Sequence, residues 1–536
     1  MSDDLHVASE LLSAALDKYY DACLALKHSA TQSSGLAGQP DIAHSPGPMA
    51  MKELSLLANY ENKFLKSKST LLQTANICPA LVPVNRLPVD ILAHIFQQLV
   101  EEEYELTIRI GPHASIPKYP IRLAHVCLKW RWIVLRIPLL WSYITIVSTT
   151  QTSGPEFAYP DFHSKYSEQA LVEMFIVGLF TIRASNNLHS TTPLDPFFGR
   201  VRSLALDLNT NDASAVNNPS AQASWLIAKC LRASSRNLKR LMLFTDTTLV
   251  HHPFIESSSS PTNSGNLIVD IPHAELEEVL SPIVDLWLRD QYFNWESKAY
   301  HGLTKLQLEC QTQRSISESQ LIKILESSPQ LRYIDIGLDI IVAVTPSPAV
   351  DLPELEVIIG DLFLIQLILP GSKELGVYID WAVPNCGDLL RSDRVKRFFS
   401  QSNTVRFYAD GLLHSSSDVC YLFSLIPRAR ELALSFTTIS EKSLDIHTGP
   451  SLNTICLLGP CAFRRPLLLD MVKKCNVKKL VFYGTISIIG SPSAIVCSEQ
   501  TLRGASPDLD NTSLEFIAPP ANIILSARFL VDQPYL

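Results

Sequence analysis

Leu303-Thr304-Lys305-Leu306-Gln307-Leu308, then the helix-like Ser319-Gln320-Leu321-Ile322-Lys323-Ile324-Leu325-Glu326, then Leu331-Arg332-Tyr333-Ile334-Asp335-Ile336 form the stretch that decides the fold. The two flanking phrases share the form apolar-x-x-apolar-x-apolar. That form supplies an apolar anchor, a two-residue polar step and a short strand with alternate residues turned inward. The phrase recurs at 201–206, 238–243, 355–359, 429–434, 452–457 and 477–482. Leu306 to Ile334 is a step of 28 residues, Ile334 to Val357 is 23, Leu432 to Ile455 is 23 and Ile455 to Leu480 is 25. Leucine-rich repeats step by about 20–29 residues. Residues 225–233 and 467–474 supply further helix-like segments. No regular Asn/Cys position marks the phrases, so the repeats are irregular. The expectation is an α/β solenoid with a parallel sheet on its concave face. A non-repeating α/β domain is the alternative.

Polar stretches interrupt this array at 209–223, 245–266 and 490–512, and read as surface insertions. Leu276, Leu280, Val284, Trp287, Leu288, Tyr292 and Trp295 suggest a helix packed on the array within 274–300. The runs 514–517 and 522–529 read as an end cap.

Toward the N-terminus, residues 5–28 read as a helix with Leu5, Ala8, Leu11, Leu12, Ala15 and Tyr19 on one face. Residues 29–50, rich in Ser, Gly, Pro and Ala, read as a linker. A second amphipathic helix covers 52–74, with Leu54, Leu57, Glu61, Phe64, Leu65, Lys68, Leu71 and Leu72 on a mostly apolar face. It spans about three heptads, short for a coiled coil, and is expected to pack on its own domain.

Val84-Asn85-Arg86-Leu87-Pro88-Val89-Asp90 then opens a helix. Proline suits a first turn, where its missing N–H has no helical partner. Ile91, Leu92, Ile95, Phe96 and Leu99 make one apolar stripe, and the helix is expected to end at Glu101-Glu102-Glu103. A loop follows, with Gly111, Pro112, Pro117 and Pro120. A further helical stretch carries Leu123, Val126, Cys127, Trp130, Ile133 and Val134, and stops near Pro138 before Leu140-Trp141.

Asn-Arg-Leu-Pro-x-Asp-Ile-Leu-x-x-Ile-Phe at 85–96, Leu-Ala-His-Val-Cys-x-x-Trp-Arg-x-Ile-Val-Leu at 123–135 and Ile-Pro-Leu-Leu-Trp-Ser-Tyr-Ile at 137–144 together resemble the F-box-like domain. More narrowly they resemble the large F-box group of mushroom-forming fungi, whose members tend to carry a leucine-rich-repeat-like C-terminal region. The resemblance covers about 60 residues. It departs from a compact F-box at 101–121, which is longer and is expected to loop away on the surface, since loop length costs stability only slowly.

The expected fold class is therefore α + α/β. N-terminal helices and an all-α F-box-like module precede an irregular leucine-rich-repeat-like α/β solenoid. The expected division is an N-terminal helix at 1–28, a linker at 29–50, an amphipathic helix at 51–82, the F-box-like domain at 83–146, a connecting region at 147–196 and the solenoid with its cap at 197–536.

Composition narrows the function. A formal net charge of −8 argues against nucleic acid as the main ligand, because phosphate binding needs a basic face. No uncharged apolar run is long enough to span a membrane, and the N-terminus lacks the basic start of a secretory signal. The 11 cysteines contain no CxxC pair and read as reduced thiols of a cytoplasmic or nuclear protein. No nucleophile-elbow, P-loop, zinc-protease or dinucleotide motif is present, so no catalytic, cofactor or metal residue is assigned and the chain is not expected to be an enzyme. His251-His252 reads as part of a solvated loop, and Asp335, Asp339, Asp351 and Asp361 as solvated carboxylates at strand ends.

The resemblance implies docking onto a Skp-family adaptor of a cullin ubiquitin ligase. Leu87, Pro88, Ile91, Leu92, Ile95 and Phe96 match the family's motif and would make the contact. Val126, Cys127, Trp130 and Trp141 would hold the module's core. The solenoid would bind an unknown substrate protein and the chain would act by proximity. The alternative is an interaction scaffold without a ubiquitin role, in which the F-box-like fold is only a structural cap.

Overall fold

The computed structural model describes residues 2–33, 46–77, 80–110, 118–148, 155–157, 160–177, 195–208, 219–234, 237–245, 254–259, 266–311, 314–345, 347–379, 389–411, 415–435, 437–439, 443, 449–458, 461–483, 486–489, 495–496 and 512–517. The chain divides into two units. One comprises Met1–Phe96 and Ile121–Leu135, the other Gln97–Pro120 and Arg136–Leu536.

The first unit holds α1 (Ser2–Ser33), α2 (Pro46–Ile77), the first turns of α3 (Val89–Ile110), α4 (Ile121–Ala124) and all but the last residue of α5 (Leu128–Arg136). α1 and α2 are each longer than their sequence patterns, and the linker's residues 34–45 lie outside the described ones. Tyr19 of α1 donates to Glu53 of α2 at 3.2 Å. Leu54, Phe64, Leu65, Leu71 and Leu72 of α2 are exposed, so the stripe expected to pack on its own domain is largely open. The core of this unit is Leu92 and Phe96 of α3 with Leu123, Ala124, Ile133 and Val134.

Among the described residues the second unit is built on one sheet of 15 strands. Every pairing in it is parallel except that of Tyr143–Ser148 with Pro155–Phe157. The quoted phrases form adjacent strands, Lys305–Glu309 beside Tyr333–Ile336. On one face Leu204, Leu241, Leu286, Leu306, Ile334 and Leu432 pack with helix residues such as Leu231, Leu280, Leu321 and Leu325 in one continuous core. Strands buried on both faces carry near-continuous apolar runs, as in Leu204-Ala205-Leu206 and Leu241-Met242-Leu243. Some of the helices between strands begin at hydroxyl caps. Ser317 and Gln320 form a capping box for Glu318–Glu326, and Ser415 and Asp418 one for Ser416–Leu425.

Three expectations change here. The sheet starts at Tyr143, before the expected boundary at 197, because Tyr143–Ser148 and Val172–Val177 pair in it. Residues 274–300 are not one helix. His273–Leu280 is helical, Pro282 follows, and Asp285–Arg289 is a sheet strand between Arg240–Phe244 and Lys305–Glu309. Ile283-Val284-Asp285-Leu286-Trp287-Leu288 fits the repeated phrase, which fills the long gap between Leu241 and Leu306. The residues after Glu103 do not begin a surface loop either. α3 runs on to Ile110, and 111–117 lie outside the described residues. The run 514–517 falls in Ser513–Ile517, the last strand of the sheet, while 522–529 lies outside the described residues.

One glycine is fixed by close approach. A Cβ on Gly371 would collide with the backbone carbonyl of Pro353, where two short strands, Val350–Leu352 and Ile368–Pro370, pair. Backbone cannot swing aside as a side chain can. Gly371→Ala is expected to destabilise the second unit by about 1–3 kcal/mol, read from hydrogen exchange of the neighbouring strands.

Candidate interaction surfaces

In the first unit the entry to α3 is pinned. Pro83–Arg86 forms a 3-10 turn, and Leu87 N donates to Val84 O at 3.1 Å. Lys129 Nζ of α5 donates to Asn85 O at 2.9 Å, and the Asn85 side chain donates to Asn76 O of α2. Neither Asn85 nor Lys129 was singled out by the sequence pattern. Their only signal is an amide and an ammonium at positions that prove to be buried or half-buried.

This turn divides the expected contact set. Pro88 and Ile91 are exposed, Leu87 and Ile95 half-buried, and Leu92 and Phe96 buried at 0% and 1%. Leu92 and Phe96 therefore lie in the core of the first unit and not on its surface. Phe96 meets the Trp130 ring at 4.7 Å between centroids. The exposed patch gains Val84 and Val89 instead. The expected module core changes as well. Val126 is 54% exposed, Cys127 and Trp130 are half-buried, and Trp141 lies in the second unit, where it packs on Phe162, His163 and Tyr166. Helical spacing cannot say which side of an apolar stripe faces inward when both sides are apolar. Val126 and Arg131, with Leu65, Lys68, Leu72 and Asn76 of α2, line a groove of about 410 Å³.

In the second unit, the face of the sheet opposite the helices is defined by register. Phe175, Ala205, Met242, Trp287, Gln307, Asp335, Ile359, Tyr378, Tyr408, Ala433, Cys456 and Val481 occupy one row across neighbouring strands. Every one of these residues is buried. Trp287 Nε1 donates to Glu309 Oε1 at 2.8 Å and Arg289 Nε to Glu309 Oε2 at 2.9 Å. The Arg289 guanidinium lies 5.0 Å from the Phe244 ring centroid. Gln307 Nε2 donates to Asp335 Oδ2 at 3.4 Å. Asp335 is thus buried and not the solvated strand-end carboxylate expected. Asp361 also has a structural role. It caps Leu362–Gln366 by accepting from Leu364 N at 2.9 Å, and burial pushes its carboxyl up to about 6. The accessible row runs through Lys305, Tyr333, Val357, Arg406 and Glu431, with the Lys305 ammonium 4.7 Å from the Tyr333 ring centroid.

The second half of α3 covers the first strands of that face. Tyr104 and Ile108 join Phe175, Ala205, Met242, Phe244 and Trp287 in one apolar cluster. Glu105 holds Arg240, with Nη1 to Oε1 at 2.6 Å, and Asp285 Oδ2 lies 3.1 Å from Arg240 Nε. Burial pushes the Glu105 carboxyl up, but the Arg240 guanidinium outweighs it and holds the group below its ordinary value. Burial leaves Asp285 and Glu173 above theirs. Glu103 accepts from Lys118 N and Tyr119 N at 3.1 and 2.9 Å, which ties the return of the chain to the helix.

Among the described residues no group of three or more His, Cys, Asp or Glu could hold a metal ion, and no helix is long and apolar enough to cross a membrane. His251-His252 lies outside the described residues. Burial pushes the thiols of Cys230, Cys456 and Cys475 up to about 12 and that of Cys461 up to about 11, which keeps them protonated and unreactive at neutral pH. No protein-family model matches the chain, and no curated protein matches it.

Proposed function

We propose that the chain is an F-box-type substrate-recognition adaptor, which docks onto a Skp-family adaptor of a cullin ubiquitin ligase and presents a protein bound by its C-terminal sheet. The observation that carries this reading is the exposed apolar patch of Val84, Pro88, Val89 and Ile91 on a turn held in place by Lys129 and Asn85. A rigid apolar patch at a helix start suits insertion into a hydrophobic groove, where a few anchors supply most of the energy. The long parallel ladder is read as an irregular leucine-rich-repeat-like solenoid. Its accessible row, Lys305, Tyr333, Val357, Arg406 and Glu431, mixes charge, aromatic and aliphatic groups as a protein-binding face does. The chain itself transfers nothing in this reading. It raises the local concentration of substrate beside the ligase.

The burial of Leu92 and Phe96 and the covering of the sheet face by α3 favour a second reading, a scaffold in which the F-box-like fold serves only as a cap. Co-expression with a Skp-family adaptor and size-exclusion chromatography separates the two. Wild type is expected to co-elute with the adaptor. Val84→Asp/Ile91→Asp changes only exposed positions, so it should fold and lose affinity by at least about 30-fold. If wild type elutes alone, while the same adaptor binds another F-box protein, the scaffold reading replaces the first.

A further inference from the structure

Ser281, Ser328, Thr345 and Ser347 are the described serine and threonine residues that precede a proline. Ser328 is fully buried and donates to Tyr300 O at 2.7 Å. Ser281 ends the helix His273–Leu280 and donates to Glu278 O at 3.0 Å. Ser328 is closed in by the backbone around it, while Ser281 is exposed and bonds within its own helix end. Thr345 and Ser347 instead lie in the loop after Asp339–Ile341, beside Val344, whose side chain is fully exposed.

That loop is latched by one carboxylate. Glu318, the first residue of its helix and only 2% exposed, accepts from Ala343 N at 2.8 Å and from Ser347 N at 2.9 Å. The Ser347 side chain is half-buried on the residue whose amide this carboxylate binds. Burial pushes the Glu318 carboxyl up, but these bonds and the nearby Arg394 charge hold it below its ordinary value. Arg394 Nη2 donates to Ser347 O at 2.9 Å. Ser347 therefore stands between a buried anion that its amide satisfies and a guanidinium that already holds its carbonyl. Among the described residues Glu318 and Arg394 bond to Ala343 and Ser347 and not to Thr345.

We propose that Ser347 is a phosphorylation site for a proline-directed protein kinase, and that its phosphate releases the Ala343 and Ser347 amides from Glu318 and is itself taken up by Arg394. The kinase supplies ATP as co-reactant. The bond from the γ-phosphorus to the bridging oxygen of ATP breaks, the Ser347 Oγ–P bond forms, and ADP and the hydroxyl proton leave. The neutral hydroxyl is replaced by a group of charge about −2 on the residue whose amide binds the Glu318 carboxylate. Like charges at hydrogen-bond range repel, and the guanidinium of Arg394 pairs with phosphate by two parallel hydrogen bonds. Hydrolysis of the phosphoester restores the neutral hydroxyl and the latch.

The test treats the full chain with a proline-directed kinase and Mg-ATP, the kinase first shown active on a Ser-Pro peptide. Peptide mass spectrometry locates the phosphate and hydrogen exchange follows the Ala343 and Ser347 amides. Phosphate at Ser347 with at least about tenfold faster exchange at both amides is expected, since each bond to the carboxylate is lost. Glu318→Gln removes the repulsion, so the phosphate should change exchange much less in that variant. Ser347→Ala should take up no phosphate in this loop while its amides stay protected. No incorporation, phosphate at Thr345 alone, or phosphate at Ser347 with unchanged exchange would each overturn the proposal.

Discussion

Arg240→Met is expected to destabilise the second unit by about 3–5 kcal/mol at neutral pH, because it strands buried carboxylates whose shared cation is gone. Arg240 sits between Glu105 and Asp285, with side chains 19%, 27% and 22% exposed, so solvent screens the cluster only in part. In the wild type Glu105 has a depressed carboxyl. Its contribution is present above its ordinary value of 4.5 and is lost as pH falls through the lower folded value. Asp285 and Glu173 are raised, so both oppose folding above their ordinary range and relax on protonation. Without the cation Glu105 should join them. The variant is therefore expected to regain part of its loss as pH falls from neutral toward 4.5, where the wild type gains no comparable amount. Amide exchange of Arg240–Phe244 and Asp285–Arg289 across that range measures it. Arg240→Met/Glu105→Leu should recover much of the loss at neutral pH, since a buried pair replaced whole is often near neutral. A loss below about 1 kcal/mol, or a flat pH response, would remove the electrostatic account of how α3 is held to the sheet.

Trp141→Ala should cost the second unit about 3–5 kcal/mol. The indole is 1% exposed and has Phe162, His163 and Tyr166 at ring-centroid distances of 6.2, 5.6 and 5.2 Å. Its loss leaves a cavity at the first strand of the sheet, Tyr143–Ser148. The half-buried Trp130 should lose less on truncation, because part of its ring already meets water. His163 adds a pH signature. Burial holds its imidazole below the ordinary 6.5, while Trp141 O, 2.8 Å from Nδ1, pulls the other way. A depressed histidine supports the fold above its ordinary value, and that support is lost as pH falls through the folded value. Acid should therefore weaken the wild type below pH 6.5, and the opened pocket of Trp141→Ala should blunt that dependence. Denaturant unfolding, followed by exchange in Val172–Val177, reports both effects. Equal costs for the two tryptophans would contradict the division of the chain at this point.

The recurring phrases made most of the sheet legible in sequence. They carry the period-two alternation of a strand, and a parallel strand buried on both faces repeats it with few polar breaks. Asp285–Arg289 shows the limit of that signal. Trp287 and Leu288 can sit on a helix as well as on a strand, and only Pro282 hinted at the break. Glu101-Glu102-Glu103 misled in the other direction. Three carboxylates read as the end of a helix, yet Glu103 is bound by the returning backbone and Glu105 by Arg240, 135 positions away. A pairing at that separation leaves no trace in local spacing.

The sequence by itself determined that this chain joins a Leu-Pro helical segment to a series of short strands, because both periods are properties of neighbouring residues. Tertiary structure alone decided which apolar groups are core and which are surface. Leu92 and Phe96 turn inward while Val84, Val89 and Ile91 remain exposed, and Trp141 belongs to the sheet and not to the helices before it. It also decided that Asp335, Glu309 and Glu318 are buried among specific donors. The physical reason is common to all of these. Burial of a side chain depends on what distant parts of the chain are folded against it, and a local pattern of polar and apolar residues does not contain that distance.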